Sequence, residues 1–539
     1  MQTNIVTCTR ACGQCTDDPQ PSSRVPDAAS EKVRGLCSGA LVHMYNVSMF
    51  RPRCQYASCI VLRRSGMSNT KSSSVKSRCK TRQLPTYARV NGSSALRQDT
   101  LHIVVAGGGL GGLYLAICLM KKGFYVTVIE RTAEYRNFGG PIQLASNGMS
   151  VLKATSRRLY ESVQQNSRPF WGTKSGIKYG YTGDWMFTFD AITEIPKRME
   201  LPFAVCIDRS DLQYCLLNEI RSLNLEDSCG QTEIIMDATV TSYHQDSRTG
   251  KVRANLEHGT HVEGDVLIGA DGIWSTVRSQ MFDEQNGRGS KSTASYTGYK
   301  LFSSLPLYQT DDFFEIGYCA YIGPDNYFVT CPDRHGRIQW YAFVKSSPES
   351  DYVEDSKSFL LQKFERWTPE VRALLAQSEN IDISQRDLWD RPPCLRSWSN
   401  GRVALLGDSC HATMPNIGQG SGLAFEDAFV LSNLLGEVKH PHDICGALNK
   451  YYAQRIWRTA TIQGLGRMNS EAIKILTPLL PIKSLIDFVI SPFLPLVFIA
   501  QFGYCYSFCP EKEAAVTSIS SAARMNKRHI EECMESWHQ

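Results

Sequence analysis

A run of glycines, VVAGGGLGG at Val104–Gly112, carries the densest chemical information in the chain, because Gly107, Gly109 and Gly112 satisfy G-x-G-x-x-G. Glycines so spaced let the backbone turn tightly, approach a pyrophosphate without a side chain in the way, and pack a helix closely on a strand. Eighteen residues after Gly112 comes Glu130, a carboxylate suited to ribose hydroxyls and hostile to a 2′-phosphate. The pattern predicts the ADP half of FAD or NAD rather than NADP. Arg131, the next residue, is grouped with the same nucleotide site.

These residues need a strand, a helix and a second strand to hold them. Leu101–Ala106 is a short apolar run, Leu110–Lys122 has helical spacing, and Tyr125–Ile129 is β-branched, which together predict a βαβ unit with the phosphates at the helix N-terminus. Further along, CAYIG, YFVTCP and IQWYAFVK read as short antiparallel strands, separated by turn residues at 323–326 and 333–336. Strand signals of the first kind return in GDVLIGADG and GRVALLGDS. A nucleotide-binding α/β domain interrupted by a sheet domain accounts for this order.

Two of the later stretches are specific. GDVLIGADGIWSTVRSQMF contains Asp271-Gly272, Ser275 and Arg278; GRVALLGDSCHATMPNIGQGSGLAFEDAF contains Gly407-Asp408, His411, Pro415 and Gly418-Gln419-Gly420. With the glycine fingerprint ahead of them, they resemble the DG and GD motifs of the FAD-dependent single-component monooxygenases. The resemblance implies FAD as the held cofactor, with Asp408 on its ribityl chain and Arg209, in CIDRSDLQYCLL, beside the flavin. It places Asp271 near the pyrophosphate and the reductant's approach. The helix expected at Leu423–Leu435 would turn its N-terminal N–H groups toward the flavin pyrimidine, where charge on reduced flavin is stabilised. A single dinucleotide fingerprint leaves no Rossmann domain for the reductant, so NAD(P)H, or reduced ferredoxin, would dock transiently. O₂ is the implied co-substrate and a flavin C4a-hydroperoxide the oxygen donor. The cofactor then carries the chemistry. No side chain is assigned as catalytic acid, base or nucleophile, and His411 reads as a structural hydrogen-bonding group.

GGPIQLASNGMSVL, GADGIWSTVR, YTGY, GRIQWYAF and RDLWDRPP narrow the resemblance to the zeaxanthin epoxidase family over Leu101 to about Leu435. That likeness implies epoxidation of the ring double bond of a xanthophyll, zeaxanthin or diatoxanthin. The alternative is hydroxylation of a small aromatic substrate in the manner of salicylate hydroxylase. Gln143, Trp340 and Phe343 are candidate pocket residues, with core packing as the competing account of each. The chain departs from the wider hydroxylase pattern at Gly422, where many relatives carry asparagine, and too little follows Cys509 for the forkhead-associated domain of the land-plant enzymes. The implied architecture is an FAD-binding Rossmann-like three-layer domain (99–165, 206–285, 386–445) interrupted by a mainly antiparallel substrate domain (166–205, 286–385). A helical segment (446–539) closes the chain.

Charge and cysteine usage bound the rest. The first hundred residues hold 15 Lys/Arg against 5 Asp/Glu, leaving 43 against 48 in the remainder, so the folded part has no basic surplus for nucleic acid. No acidic residue occurs from Lys32 to Gln98, where basic residues sit among serines; residues 1–98 read as a plastid transit peptide, the other reading being a retained basic tail. Cys8, Cys12 and Cys15 lie there without a fold to assemble a zinc site, and no metal is expected. Cys118, Cys206 and Cys410 read as buried free thiols. Phe488–Pro510 has no charged residue but is interrupted by Pro492 and Pro495, which leaves peripheral membrane contact, a buried covering segment and a span all open.

Overall fold

The computed structural model describes residues 100–513, apart from 136–139, 285–292, 309–312, 314, 349, 481 and 483–484. The transit-peptide reading of 1–98 lies outside the described residues.

The first apolar run forms β1 (His102–Ala106), the glycine turn opens α1 (Leu110–Met120), and β2 (Tyr125–Ile129) returns parallel to β1. β3 (Pro141–Leu144), α2 (Ser146–Thr155), α3 (Arg157–Gln165) and β4 (Ser167–Pro169) follow. Ser156 caps α3 by accepting from Leu159 N at 3.3 Å. Then come β5 (Lys174–Tyr179), β6 (Trp185–Thr188), α4 (Ala191–Arg198), β7 (Val205–Asp208) and α5 (Arg209–Leu223). β8 (Thr232–Ile235) precedes a small antiparallel sheet of β9 (Val240–Asp246), β10 (Lys251–Leu256) and β11 (His261–Gly264), which sequence reasoning did not single out. β12 (Val266–Gly269) and α6 (Thr276–Phe282) carry the DG stretch.

The long sheet is built from β13 (Ser295–Ser304), β14 (Ile316–Ile322), β15 (Asn326–Pro332) and β16 (Ile338–Lys345), backed by α7 (Ser356–Lys363) and α8 (Pro369–Gln377) and edged by β17 (Ser384–Asp390). The boundary expected between 385 and 386 therefore falls inside a strand, because β17 pairs with β13. β18 (Ser399–Asn400), β19 (Val403–Leu405), α9 (Asp408–His411), α10 (Gly420–Gly436), α11 (Ile444–Leu476) and α12 (Leu494–Tyr506) follow.

Six strands in the order β18-β19-β12-β1-β2-β8 form the nucleotide-domain sheet. All of its pairs are parallel except β18–β19. Its central strands are buried on both faces, as a helix-covered parallel sheet requires. Ten of the eleven residues of α1 are buried and the helix carries no charge, because it packs between the sheet, α5 and α10. Each fully buried Leu, Ile or Val there contributes about 1.5–3 kcal/mol.

The second sheet has seven strands in the order β17-β13-β16-β15-β14-β5-β6, antiparallel except where β5 runs alongside β14. Its two faces separate by the period-two rule. Trp340, Ala342 and Val344 join Phe302 and Phe328 against the helices α7 and α8, whereas Phe343 joins Tyr299, Tyr327 and Val329 on the opposite face with Met414. The three-stranded sheet β3-β7-β4 lies between the nucleotide and sheet domains in sequence, and its central strand β7 leads directly into α5. All the described cysteines are free thiols, with Cys118, Cys206 and Cys410 buried.

Candidate cofactor site

Four adjacent parallel strands, β19, β12, β1 and β2, end at Leu405, Gly269, Ala106 and Ile129, and directly beyond those ends stand Gly407-Asp408, Asp271-Gly272, Gly107 and Glu130. Motifs three hundred residues apart in the chain thus share one carboxyl edge, where open α/β sheets bind their ligands. Hydrogen bonds stitch the edge together. Gly107 N donates to Ile129 O at 2.8 Å, Ala270 N to Ala106 O at 2.8 Å and Leu406 N to Gly269 O at 2.9 Å. Ser409 Oγ donates to Gly269 O at 2.6 Å and accepts from Leu406 N at 3.0 Å. Arg278 reaches across from α6 to the carbonyls of Ser409 and Cys410, at 3.2 and 3.4 Å, so the DG helix grips the GD helix.

The glycines divide by what surrounds them. Gly107 has φ of +110°, and a Cβ there would lie 2.4 Å from Ala270 O; one on Gly112 would lie 2.0 Å from Gly107 O. Both are required by the protein itself. Gly109 is different: its φ is −71° and a Cβ would meet nothing within 4 Å. Neither conformation nor internal packing asks for glycine at 109, and the bare backbone there is open to close approach of a ligand. Gly272 has positive φ and equally open surroundings, and Gly420, the first residue of α10, meets only Thr413 Cγ2, at 4.0 Å.

Charged groups face the same space. Arg209, at the start of α5, is half-buried and has no hydrogen-bond partner among the described residues. Burial lowers its pKa, with Asp408 and Glu130 pulling it back up and Arg386 adding to the fall. Asp408 is open to solvent, yet the protein around it raises its carboxyl above the ordinary value against the pull of His411 and Arg209. Glu130 accepts from Gly108 N at 2.8 Å and from Thr132 N at 3.0 Å. Asp271 accepts from Thr276 N at 2.8 Å and Val277 N at 3.2 Å, so one oxygen holds the first turn of α6, while Oδ1 is buried without a partner. Burial raises its pKa. Bare backbone at 109, 272 and 420, a partnerless guanidinium and an orphaned carboxylate oxygen fit a dinucleotide with a polar chain and an anionic diphosphate. Arg131 is exposed beyond the edge. Arg209→Ala is expected to leave the apoprotein's thermal midpoint unchanged or higher, since an uncompensated half-buried cation is removed, while weakening flavin retention about tenfold or more, a loss of at least ~1.4 kcal/mol. Equilibrium dialysis of flavin and thermal unfolding of apoprotein check the two halves separately.

Beneath the edge lies a buried charge network whose partners sequence reasoning missed. Asp427 of α10 accepts from Gly407 N at 3.2 Å and from Arg455 Nε at 2.7 Å, and its Oδ2 lies 2.5 Å from His411 Nε2. The neighbouring Glu426 is paired with Arg455 at 2.7 Å and Arg458 at 2.6 Å, and accepts from Asn147 Nδ2 at 2.6 Å. Asn147 also donates to Gln419 Oε1 at 2.9 Å, and a Cβ on Gly422 would lie 3.0 Å from its Nδ2. An amide from α2 thus lies beside Gly422. The sequence signal was available: two adjacent acids inside an otherwise apolar helix, and arginines three apart on the next. Cys410, His411 and Asp427 cluster tightly enough to suggest a metal, but Asp427 is already shared by Arg455 and the Gly407 amide, so the donors serve the fold.

Pro415 opens a single 3₁₀ turn and Gly418 leaves it at φ +61°, delivering Gln419 and Gly420 to the start of α10, which no side chain caps. Gln419 itself is buried with its carbonyl toward Asn147, and its amide Nε2 has no partner. Gln143 stands against the same loop: a Cβ on Gly418 would lie 2.7 Å from its Oε1. Phe343 stacks on Tyr327 at 4.0 Å, on the face of the sheet that also holds Met414 of the GD loop. Trp340 is turned the other way. It is fully buried against Phe328 and donates to Ser378 Oγ at 2.9 Å, so the pocket role considered for it gives way to core packing, as strand alternation dictates.

The profile of the FAD binding domain family matches residues 100–462. The chloroplastic zeaxanthin epoxidase of Oryza sativa subsp. japonica is 36% identical over 381 residues, 68% of this chain and 54% of that protein. Its counterpart from Prunus armeniaca is 36% identical over 383 residues with the same two shares. The chain spans about half the length of the curated relatives it matches. Among solved structures, Klebsiella pneumoniae HpxO complexed with FAD and uric acid aligns with a TM-score of 0.64 at 22% identity, covering 76% of this chain and 98% of that one. A salicylate hydroxylase substrate complex aligns with a TM-score of 0.61 at 21% identity, covering 78% and 98%. At these identities the structural likeness concerns the fold.

Proposed function

The chain belongs to the FAD binding domain family, and from that premise we propose that it is a monooxygenase that epoxidises the ring double bond of a xanthophyll. The observation that carries the reading is the convergence of Gly109, Glu130, Asp271, Arg209 and Asp408 on one carboxyl edge, in a chain more than one-third identical to zeaxanthin epoxidases. When bound, the flavin supplies an activated, electrophilic oxygen atom from O₂ at the expense of a reductant, NAD(P)H or ferredoxin. The chain's residues hold and orient. The Gly107–Gly112 turn and the α1 N-terminus receive the diphosphate, Glu130 a ribose, and Asp408 with Arg209 the polar chain toward the flavin. The uncapped N-terminus of α10 offers N–H groups that favour negative charge on the reduced ring. The apolar, Tyr- and Phe-rich face of the seven-stranded sheet keeps water from the reacting alkene.

A C40 substrate resides in lipid, and the surface suits that source. Phe488, Phe493 and Leu496 are 82, 64 and 67% exposed, and Ile482, Val489, Val497 and Ile499 stand out in the same segment. Pro495 lies in the first turn of α12, where a proline is tolerated, and no helix of the described residues is long and apolar enough to cross a membrane. We read this segment as a peripheral contact that dips into one leaflet. Replacing Phe493 and Leu496 together with Asp removes two side chains whose burial contributes about 1.5–3 kcal/mol each. Co-flotation with phosphatidylcholine–phosphatidylglycerol vesicles should fall at least tenfold, roughly what 1.4 kcal/mol represents. Unchanged flotation would remove this segment from the membrane face. The relatives are named chloroplastic, and the basic leader fits import into a plastid.

The reading is tested by giving purified flavoprotein zeaxanthin or diatoxanthin in vesicles, with O₂ and NADPH or reduced ferredoxin, and resolving the pigments by chromatography. Epoxide is expected. Full flavin occupancy without carotenoid turnover, or rapid hydroxylation of salicylate instead, would overturn it.

A further inference from the structure

Tyr506, near the end of α12, is fully buried, and its hydroxyl lacks an aligned hydrogen-bond partner. A second buried polar atom on that helix, Gln501 Oε1, is likewise unpaired. Native interiors pair such groups, because an unsatisfied buried hydroxyl is costly. The side chain that interacts with the Tyr506 hydroxyl is Gln143, whose Oε1 lies against Gly418 at the cofactor loop. Apolar side chains surround the rest: Tyr506 belongs to the cluster that holds Phe189, Ile417, Leu423 and Phe502. Burial pushes the phenol well up, so it remains a donor at any working pH.

The aromatic rings of this cluster form a continuous series. Phe187 and Phe189 lie 5.3 and 4.7 Å from Phe498, Phe498 lies 6.0 Å from Phe502, and Phe502 lies 5.6 Å from Tyr506. α12 therefore carries its exposed apolar residues, Leu496, Val497 and Ile499, on one side and an aromatic wall on the other, and the wall ends at two polar groups beside the cofactor loop. An apolar ligand that ends in a ring hydroxyl matches that sequence of surfaces. Its hydrocarbon would lie along the phenylalanines and its hydroxyl would complete the hydrogen bonding of Tyr506 and Gln143.

We propose that Tyr506 and Gln143 form a hydroxyl-recognising pair for the ring end of the substrate, making α12 the element that selects hydroxylated rings over unsubstituted ones. The inference rests on the carotenoid reading for the identity of the ring, but it concerns binding and is tested without turnover. Sites built to bond a substrate hydroxyl reject analogues that lack it, because their own polar groups are then left unpaired.

The test measures binding of 3-hydroxy-β-ionone and β-ionone to flavin-loaded protein by calorimetry, for the wild type, Tyr506→Phe and Gln143→Leu. The wild type should prefer the hydroxylated ring by about tenfold or more, and each variant should lose most of that preference while binding β-ionone as well as or better than before. Equal preference in the wild type and in both variants would overturn the proposal. A fall in flavin content or a shifted flavin spectrum in Tyr506→Phe would assign the hydroxyl to the cofactor and overturn it as well. Should Tyr506→Phe not fold, Gln143→Leu alone decides. Loss of ring discrimination in the variants alongside absent carotenoid turnover in the wild type would sink the epoxidase reading and leave this one standing.

Discussion

Gly109→Ala is expected to yield a folded apoprotein that no longer retains flavin, whereas Gly112→Ala is expected to damage the apoprotein itself. The two glycines sit three residues apart in one motif, and their surroundings separate the effects. A methyl at 109 meets no protein atom within 4 Å and needs no change of φ, so the thermal midpoint of the apoprotein should stay within about a degree of wild type. On the proposed site the same methyl would stand where the pyrophosphate approaches the backbone. Overpacking of that contact costs about 1–3 kcal/mol, roughly a ten- to hundredfold rise in flavin Kd. At 112 the methyl would lie 2.0 Å from Gly107 O, a collision between backbone and Cβ that no rotamer relieves. About 3 kcal/mol of destabilisation, at the upper end for overpacking, should appear with flavin present or absent. Parallel effects of the two substitutions on the apoprotein, or normal flavin retention by Gly109→Ala, would show that Gly109 does not border the cofactor.

The second large effect is in the charge network under the GD loop. Arg455→Met keeps the volume but removes one of two counter-charges from each acid, leaving Asp427 with His411 alone and Glu426 with Arg458 alone in a fully buried setting. Breaking a buried pair from one side costs about 3–5 kcal/mol, and denaturant midpoints should register it. Asp427→Asn tests the same network through pH. Burial alone would raise the Asp427 carboxyl, but His411 and Arg455 outweigh it and hold it at about 2. A depressed carboxylate contributes fully above its unfolded value near 4, and the contribution drains as pH falls toward about 2. Burial alone would lower His411, but Cys410 and Asp427 raise it well above the ordinary imidazole value. Its contribution is full below about 6.5 and is lost as pH climbs through the raised value. The wild type should therefore lose stability more steeply than Asp427→Asn at both the acid and the alkaline ends. The mutant should also release flavin more readily, since the Gly407 amide loses its anionic acceptor. Identical pH–stability curves would refute the pairing.

Local patterns in the chain were sufficient for β1, α1 and β2, whose apolar runs and glycines act over a few residues, and for the alternating strands β14, β15 and β16. They also picked out Gly107, Glu130, Asp271 and Asp408, which the fold brings to one carboxyl edge, because each of those motifs is short and stereotyped. The strands β9 to β11 escape for want of length rather than of pattern: β10, KVRANL, alternates polar and apolar residues, but its partners β9 and β11 are largely polar and give that short run no support. Strand β17 was divided because its sequence, SQRDLWD, shows its pairing only against β13. The network of Asn147, His411, Glu426, Asp427, Arg455 and Arg458 escaped for a related reason: its partners come from four helices, and the pairing is a property of the packing. Trp340 and Phe343 lie three apart in one strand, so only the choice of buried face, fixed by the tertiary arrangement, tells which of them can approach a ligand.

The six-stranded sheet has a consequence for biosynthesis. Its members are drawn from His102 at one end to Leu405 at the other, and α10, which finishes the edge, arrives only at Gly420. Pairings over such separations raise contact order and slow folding, since large loops must close before any contact rewards them. No ribosome-bound fragment that ends before α10 does, at Gly436, holds a complete cradle, so flavin capture must be a late event. The apoprotein emerging from synthesis or import would pass through a stage with its parallel strands unshielded, and the local flavin supply at that moment would govern how much chain survives to maturity.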